Sequence, residues 1–282
     1  IWPCWSWFSL MTLSTDVQPL ESSAEGPAQR KVALVVEYDG TRYAGFQLQA
    51  NAPTIQGELE KAIEALTGER IRLMTASRTD AGVHAKGQVV SFRTGSAHSL
   101  ETFITGLNYY LPGDIAVKAA HRADDSFNVR RQAVSREYNY YILNSSTRSP
   151  LRERFYHLVA GHLNIEVMNR AARALIGEHD FASFVNNSDA AARNTVKRVL
   201  RAEMRRDGDL VVFNIMANSF LMHQVRNIVG PLIRVGRGKM SVDEFCSILE
   251  SKQPCLAGPT APAGGLCLMQ VNYKNPFEDG VL

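Results

Sequence analysis

The sequence predicts an α+β fold made of two ferredoxin-like (split β-α-β) halves, whose antiparallel sheets join and leave a cleft between them. Two observations carry this prediction. Strand and helix patterns follow the order β-α-β-β-α-β from residue 31 to residue 120, and the same order begins again at residue 136. The 282 residues suffice for one large domain or two ordinary ones. The expected organisation is a disordered or artificially added extension over 1–30, a first half over 31–125, a second half over 126–275 and a tail over 276–282.

The first half opens with a β-branched strand over 31–37. Thr54 and Ser99 are typical helix caps, and the helices that follow them end at Gly68 and Pro112. Further strands complete the unit over 71–76, 87–93 and 114–120.

The second half repeats this order after a linking segment. Asn164 opens a helix that stops at Gly177, and Ser241 forms a capping box with Glu244 for a later helix over 242–250. The remaining elements are a helix over 219–235 and strands over 136–143, 196–204, 209–216 and 266–273.

The composition favours an anionic partner. The formal net charge is +3, most of the basic residues are Arg, and the first 29 residues hold three acids and no Lys or Arg. Arg suits bidentate phosphate contacts and stacking on bases. No apolar run reaches the roughly 18 residues of a membrane span, and the four cysteines form no CxxC pair, so we expect a reduced, cytoplasmic compartment without a membrane partner.

The familiar cofactor motifs are missing. The sequence GRGK at 236–239 does not complete a Walker A loop, and no GxGxxG, HExxH or GxSxG pattern occurs. We therefore expect neither a metal nor an organic cofactor.

The candidate catalytic side chains are concentrated in one polar segment between two predicted strands, Ser77-Arg78-Thr79-Asp80-Ala81-Gly82-Val83-His84. Asp and Gly commonly build tight turns, which is the plainer interpretation. However, a short connection does not need Arg, Asp and His together, and loops on a rigid scaffold often hold catalytic groups.

Two further positions have both a structural and a functional interpretation. Tyr138 and Tyr140 share one face of a strand, where they are either core residues or platforms for unpaired RNA bases. Arg226 lies beside the apolar stripe of a helix, so it either extends to solvent or pairs with a carboxylate such as Asp80. The sequence alone leaves these alternatives open.

Several blocks in the same order resemble the tRNA pseudouridine synthase A family. The most specific block is SRTDAGVHA at 77–85. The others are YDGT with GFQ near residues 38–47, FNVR followed by REYNY at 127–140, GEHDF at 177–181, VRNIVG at 225–230 and GLCL at 265–268. One departure is Phe46, where the family usually has Trp.

The resemblance implies an enzyme that isomerises uridine to pseudouridine at positions 38, 39 and 40 in the anticodon stem-loop of tRNA. It implies a homodimer with one tRNA lying across both subunits, a basic cleft, and a reaction without cofactor or metal. Asp80 would be the essential carboxylate, acting as a nucleophile toward the ribose or the base, or as a base on the sugar. Arg226 would be its ion-pair partner.

The resemblance also implies roles in substrate binding. Tyr138 would stack on the target base, Arg78 would help to turn the nucleotide out of its stack, and Leu266 would form an apolar wall of the pocket. The remaining candidates for contact with tRNA are His84, Arg42, Arg130, Arg131 and Arg136.

Two other classes of function remain open at this point. The first is an RNA-binding module that helps tRNA to fold without chemistry. The second is a metal-dependent hydrolase that uses Asp80 and His84, an activity that EDTA would abolish.

Overall fold

A computed structural model describes residues 29–185 and 194–274 of the chain. The expected extension over 1–30 and tail over 276–282 therefore lie almost entirely outside the described residues. The described segments contain, in chain order, β1 (Arg30–Tyr38), α1 (Ile55–Thr67), β2 (Met74–Thr75), β3 (His84–Thr94), α2 (Leu100–Tyr110), β4 (Ile115–Ala123), β5 (Ala133–Leu143), β6 (His157–Leu158), α3 (Ile165–Arg173), β7 (Gly177–Asp180), β8 (Val196–Asp207), β9 (Leu210–Ala217), α4 (Gln224–Gly236), α5 (Val242–Ser251) and β10 (Leu266–Tyr273).

The strands form a single sheet, so the protein is a mixed α+β structure. Eight strands follow the order β4-β1-β3-β10-β5-β9-β8-β7, while β2 pairs with β3 and β6 pairs with β5. Strand β10 lies between β3 and β5. It is antiparallel to β5, and it meets β3 in a short parallel pairing at Cys267 and Leu268.

The helix caps predicted from the sequence are confirmed. The side chains of Thr54, Ser99 and Asn164 each accept a hydrogen bond from a backbone N–H of the first helical turn, in α1, α2 and α3 respectively. Ser241 and Glu244 form the reciprocal bonds of a capping box at α5. These contacts satisfy N–H groups that have no partner within a helix.

Two predicted elements differ from the structure. The strand predicted over 71–76 is reduced to β2, because the N–H of Leu73 donates to Oε1 of Glu60, 2.9 Å away, instead of to a neighbouring strand. The helix predicted from residue 219 begins only at Gln224, because His223 has a φ of +57°. A residue in that left-handed conformation cannot belong to a right-handed helix. The short strands β6 and β7 were not predicted.

The helices cover the sheet and bury its apolar side chains. Helix α2 packs on β4 and against α1, while α3 packs on β8 and against α4 and α5. The core is continuous along the sheet and includes Phe46, which is fully buried with its ring centroid 6.3 Å from that of Tyr38. None of the helices described here is long and apolar enough to cross a membrane.

Candidate active site

The loop between β2 and β3 holds Asp80 against the turn that follows β1. The N–H of Phe46 donates to the carbonyl of Thr79 at 3.0 Å. Gly45 has a φ of +102°, and a Cβ atom built on it would lie 2.8 Å from the same carbonyl. Glycine is required here because the two backbones meet without room for a side chain. This close contact fixes the path of the chain immediately before Asp80.

Buried polar side chains hold the same loop from the sheet. The amide of Gln88 forms two bonds with the backbone of Ser77: Nε2 donates to the carbonyl at 2.7 Å, and Oε1 accepts from the N–H at 3.3 Å. The hydroxyl of Tyr38 lies 2.7 Å from Oγ1 of Thr79. Burial raises the pKa of Tyr38 well above its usual value, so this hydroxyl remains protonated. The residues on either side of Arg78 are therefore anchored to the core.

Two basic side chains converge on one oxygen of Asp80. Nη1 of Arg226 lies 3.3 Å from Oδ2 of Asp80, and Nε2 of His223 lies 3.4 Å from the same atom. The side chains of Arg226, Asp80 and His223 are 16%, 24% and 32% exposed, so the cluster is half-buried and still open to a ligand. The residue pattern alone left the Asp80–Arg226 pair undecided, whereas the family resemblance implied it. Neither singled out His223. The spacing of three residues between His223 and Arg226 places both at the start of one helix, which is the signal that could have found it.

The segment after α5 fixes the orientation of Arg226. Nε of Arg226 donates to the carbonyl of Ala261 at 2.8 Å, and the N–H of Ala261 donates to the carbonyl of Arg226 at 3.2 Å. Oγ1 of Thr260 donates to Oδ1 of Asn227 at 2.6 Å. These contacts tie residues 260–261 to the first turn of α4, so Arg226 presents Nη1 to Asp80 from a fixed backbone.

Tyr138 lies on β5, next to the Asp80 loop. Its hydroxyl is 2.9 Å from Oγ of Ser77, and its ring meets the ring of Phe220 edge-on at 5.2 Å. Burial raises the pKa of Tyr138 to about 12, so the phenol is neutral near pH 7. The side chain is almost fully buried in this structure. Phe220, like His223, has no counterpart among the predicted site residues.

Leu266 begins β10 and pairs in register with Tyr140 of β5. Both side chains are buried, and the hydroxyl of Tyr140 donates to the carbonyl of Pro262 at 2.8 Å. The sequence left core and base-stacking roles open for two tyrosines. Both lie in the buried core, Tyr140 fully buried and Tyr138 6% exposed.

A basic groove of about 520 Å³ borders the Asp80 loop. Arg72, Arg78 and Arg130 line it together with apolar and amide side chains. Arg42 does not line this groove. Its guanidinium forms an ion pair with Asp114, with Nη2 at 2.6 Å from Oδ2, and its side chain is largely exposed.

The environment of Arg136 contradicts its predicted contact with tRNA. Its guanidinium is buried and donates to four backbone carbonyls, those of Ala133, Asn218, Ala76 and Arg130, at 2.8–3.1 Å. These bonds occupy the group and leave it inaccessible to a phosphate. Arg136 instead joins the start of β5 to the segment before the Asp80 loop.

The ring of His84 also contacts residues outside the loop that contains Asp80. Its Nδ1 accepts from the N–H of Gly40 at 3.1 Å, and its Nε2 lies 3.0 Å from the carbonyl of Arg154. Burial lowers the pKa of His84 below its usual value. The pairing of Asp80 with His84 that a metal-dependent hydrolase would use is not observed. Across 29–185 and 194–274, no three His, Cys, Asp or Glu side chains come together as a metal site requires.

Comparisons with known proteins identify the family of this chain. The model of the tRNA pseudouridine synthase family matches residues 34–130 and 171–274, which include Asp80, Arg226 and Leu266. The chain is 44% identical over 245 residues to a tRNA pseudouridine synthase A from Geotalea uraniireducens, covering 86% of this chain and 100% of that protein. A relative of the same name from Acetivibrio thermocellus gives the same figures. One from Chloroflexus aurantiacus is 45% identical over 252 residues, covering 86% of this chain and 89% of that protein. The chain therefore belongs to the tRNA pseudouridine synthase family.

Proposed function

We propose that this protein isomerises uridine to pseudouridine at positions 38, 39 and 40 in the anticodon stem-loop of tRNA. The bond between the ribose C1′ and N1 of the base breaks, and a bond between C1′ and C5 forms. The proton on C5 is lost and N1 gains one, so the atoms balance without an oxidant or a cofactor. The single observation that carries the proposal is the Asp80 carboxylate, 3.3 Å from Arg226 in a half-buried, accessible site of a family member.

Asp80 is the catalytic residue in this proposal. Whether it attacks the sugar, attacks the base or removes a proton from the sugar, it must be ionised. Arg226, which is itself held by Ala261, maintains the orientation of Asp80.

Tyr138 and Leu266 bind the target base. The phenol ring of Tyr138 provides the aromatic face. The bond of its hydroxyl to Ser77, in the segment that leads to Asp80, supports this role. Leu266 contributes an apolar wall from the neighbouring strand β10. A base held between aromatic and apolar surfaces can turn without leaving the pocket.

The arginines that line the groove bind the RNA backbone. Extraction of a nucleotide from its stack costs a few kcal/mol, and phosphate contacts offset that cost. Arg78 and Arg130 line the groove beside the Asp80 loop. Arg42 and Arg131, which are exposed, extend the basic surface, and Arg42 would exchange Asp114 for a phosphate.

The order of the strands supports two ferredoxin-like halves, with boundaries at 31–125 and 126–275. In the first half, which contains α1 and α2, the strands lie in the sheet in the order β4-β1-β3-β2. In the second half, which contains α3 and α4, they lie in the order β10-β5-β9-β8. Each is the arrangement of a split β-α-β unit. We further propose a homodimer that binds one tRNA, and a cytoplasmic location.

The test is release of tritium from tRNA labelled at C5 of uridine, with EDTA present. The Asp80→Asn variant keeps the shape of the side chain but loses its charge. The matched control is Asp209→Asn, which removes an exposed carboxylate that pairs with Arg152 at 3.1 Å. We expect release by the wild type and the control, and essentially none by Asp80→Asn, although all three bind tRNA.

Three results would contradict the proposal. Normal release by Asp80→Asn would remove this residue from the chemistry. Tight binding without release by the wild type, on several tRNAs with uridine at positions 38–40, would favour an RNA-binding module. Activity that EDTA abolishes would instead indicate metal-dependent chemistry.

A further inference from the structure

We propose that His223 is a second positioning residue for Asp80: together with Arg226 it holds Oδ2, so that Oδ1 is the oxygen that meets the target nucleotide. The inference rests on the proposed function, since it specifies how the catalytic carboxylate is presented. His223 is not among the site residues that the family resemblance implied.

The first observation is the asymmetry of the contacts to Asp80. The ring of His223 and the guanidinium of Arg226 both approach Oδ2, at 3.4 Å and 3.3 Å. Within the described part of the chain, the hydrogen bond that the Asp80 carboxylate accepts is to Oδ2, and none is to Oδ1. One hydrogen bond from Arg226 and the close approach of the His223 ring to the same oxygen restrict the rotation of the carboxylate about its Cβ–Cγ bond, and the other oxygen remains available to a ligand.

The second observation is the backbone of His223. Its φ of +57° lies in the left-handed region, which is uncommon for a residue other than glycine. His223 occupies the cap position of α4, yet its side chain makes no capping hydrogen bond. Capping therefore does not account for a histidine at this left-handed position. Unusual backbone of this kind concentrates at functional sites, where the surrounding structure maintains it.

The turn around His223 is held by its neighbours. The N–H of Leu221 donates to Oε1 of Gln224 at 2.8 Å, and the N–H of Gln224 donates to the carbonyl of Leu221 at 3.3 Å. Gln224 is fully buried. These two reciprocal hydrogen bonds close a turn immediately before α4, and the turn directs the imidazole of His223 to Asp80.

The experiment separates the side chain from the backbone. His223→Gly removes the imidazole but tolerates a positive φ, whereas His223→Gln retains a donor at a similar reach. The control is His162→Gly, at an exposed position on the chain. For each variant, kcat and KM are measured by tritium release from labelled tRNA, with and without added imidazole.

We expect His223→Gly to lower kcat by up to about 100-fold, the effect of a misplaced reacting group, while KM changes less than about twofold. Added imidazole restores part of the rate of His223→Gly, because the site is open to solvent. It leaves the rate of the control, His162→Gly, unchanged. His223→Gln retains more activity than His223→Gly. A kcat within about twofold of wild type in His223→Gly, or a loss that imidazole leaves unchanged and that His223→Gln shares fully, would overturn the inference.

A second measurement does not depend on the reaction. In protein labelled with ¹⁵N at histidine, the ring resonances of His223 are compared between wild type and Asp80→Asn. We expect them to change more than those of His162. If the wild type isomerises no tRNA, the proposed function fails, and this spectrum alone decides the contact. Unchanged His223 resonances would overturn the positioning role in either case.

Discussion

Nη1 of Arg226 lies 3.3 Å from Oδ2 of Asp80, although the two residues are 146 positions apart in the chain. The loop after β2 supplies the carboxylate, and the first turn of α4 supplies the guanidinium. The pair therefore exists only when the part of the sheet that contains β3 and the part that supports α4 have docked correctly.

Replacement of Arg226 by Ala should abolish most of the activity while tRNA binding persists. Loss of a charged donor from a partly enclosed site typically lowers kcat by about 100-fold or more. The control is Arg234→Ala, which removes an exposed guanidinium from the same helix. Initial rates of tritium release at saturating tRNA provide the measurement, and a near-normal rate in Arg226→Ala would mean that the ion pair has no role in turnover.

Gly45→Ala should destabilise the protein and reduce its activity. Alanine at a φ of +102° is strained, by about 1–3 kcal/mol, and its Cβ would lie 2.8 Å from the carbonyl of Thr79. Gly113→Ala is the control, because nothing lies within 4 Å of a Cβ at that position. Urea denaturation measures the free energy of unfolding. Equal stability of the two variants would show that the loop adapts without cost.

Arg136→Met should lower the free energy of unfolding by at least about 3 kcal/mol, since each buried acceptor left without a donor costs about 1–3 kcal/mol and four carbonyls lose theirs. The control, Arg131→Met, changes an exposed neighbour in sequence. The measurement is again urea denaturation. If Arg136→Met retained wild-type stability and instead weakened tRNA binding, the original assignment of Arg136 to phosphate contact would be restored.

Arg78→Gln and Arg130→Gln should weaken tRNA binding without a loss of stability. Each phosphate contact that is lost reduces the slope of log K against log salt by about 0.7–0.9. Binding is measured between low and moderate salt, with Arg170→Gln on the exposed face of α3 as the control. An unchanged slope in both groove variants would place the RNA backbone elsewhere.

The protein should become less stable as the pH falls below about 6.5, the usual pKa of histidine. Burial is the main cause that lowers the pKa of His84 and of His157 in the folded state. In this range the unfolded chain therefore binds more protons than the folded one. As a result, the free energy of unfolding falls by up to about 1.4 kcal/mol for each pH unit of acidification and each group. The stability is fully present above about pH 6.5 and decreases on acidification.

Urea denaturation at a series of pH values measures this dependence. His84→Gln should flatten the profile, whereas His162→Gln, at an exposed position, should not. A free energy of unfolding that rises on acidification would contradict the direction inferred from burial.

Features that depend on local chemistry were predictable from the sequence. The caps at Thr54, Ser99 and Asn164 require only a short polar side chain and the N–H groups of the next turn, so the order of residues suffices. The order of the main strands along the chain also followed from the alternation of apolar residues.

Features that depend on distant contacts were not predictable. The RxYxY pattern gives Arg136 the appearance of a surface phosphate ligand, but its acceptors include Ala76 and Asn218, which are 60 and 82 positions away. The left-handed conformation of His223 likewise has no signature in composition, because the surrounding turn imposes it. Its role at Asp80 emerges only when α4 and the Asp80 loop are placed together.

The position of β10 has a consequence for folding during synthesis. This strand, over Leu266–Tyr273, is the last of the strands described here to leave the ribosome, yet it occupies the seam between β3 and β5. Until it emerges, β3 and β5 are unpaired along the parts of their edges that β2 and β6 do not cover. Such edges expose a nascent chain to aggregation. Pairing of the earlier strands can proceed within each part of the sheet, but the seam closes only after translation has passed residue 273. Chaperone protection of this one gap is therefore most valuable until β10 has left the ribosome.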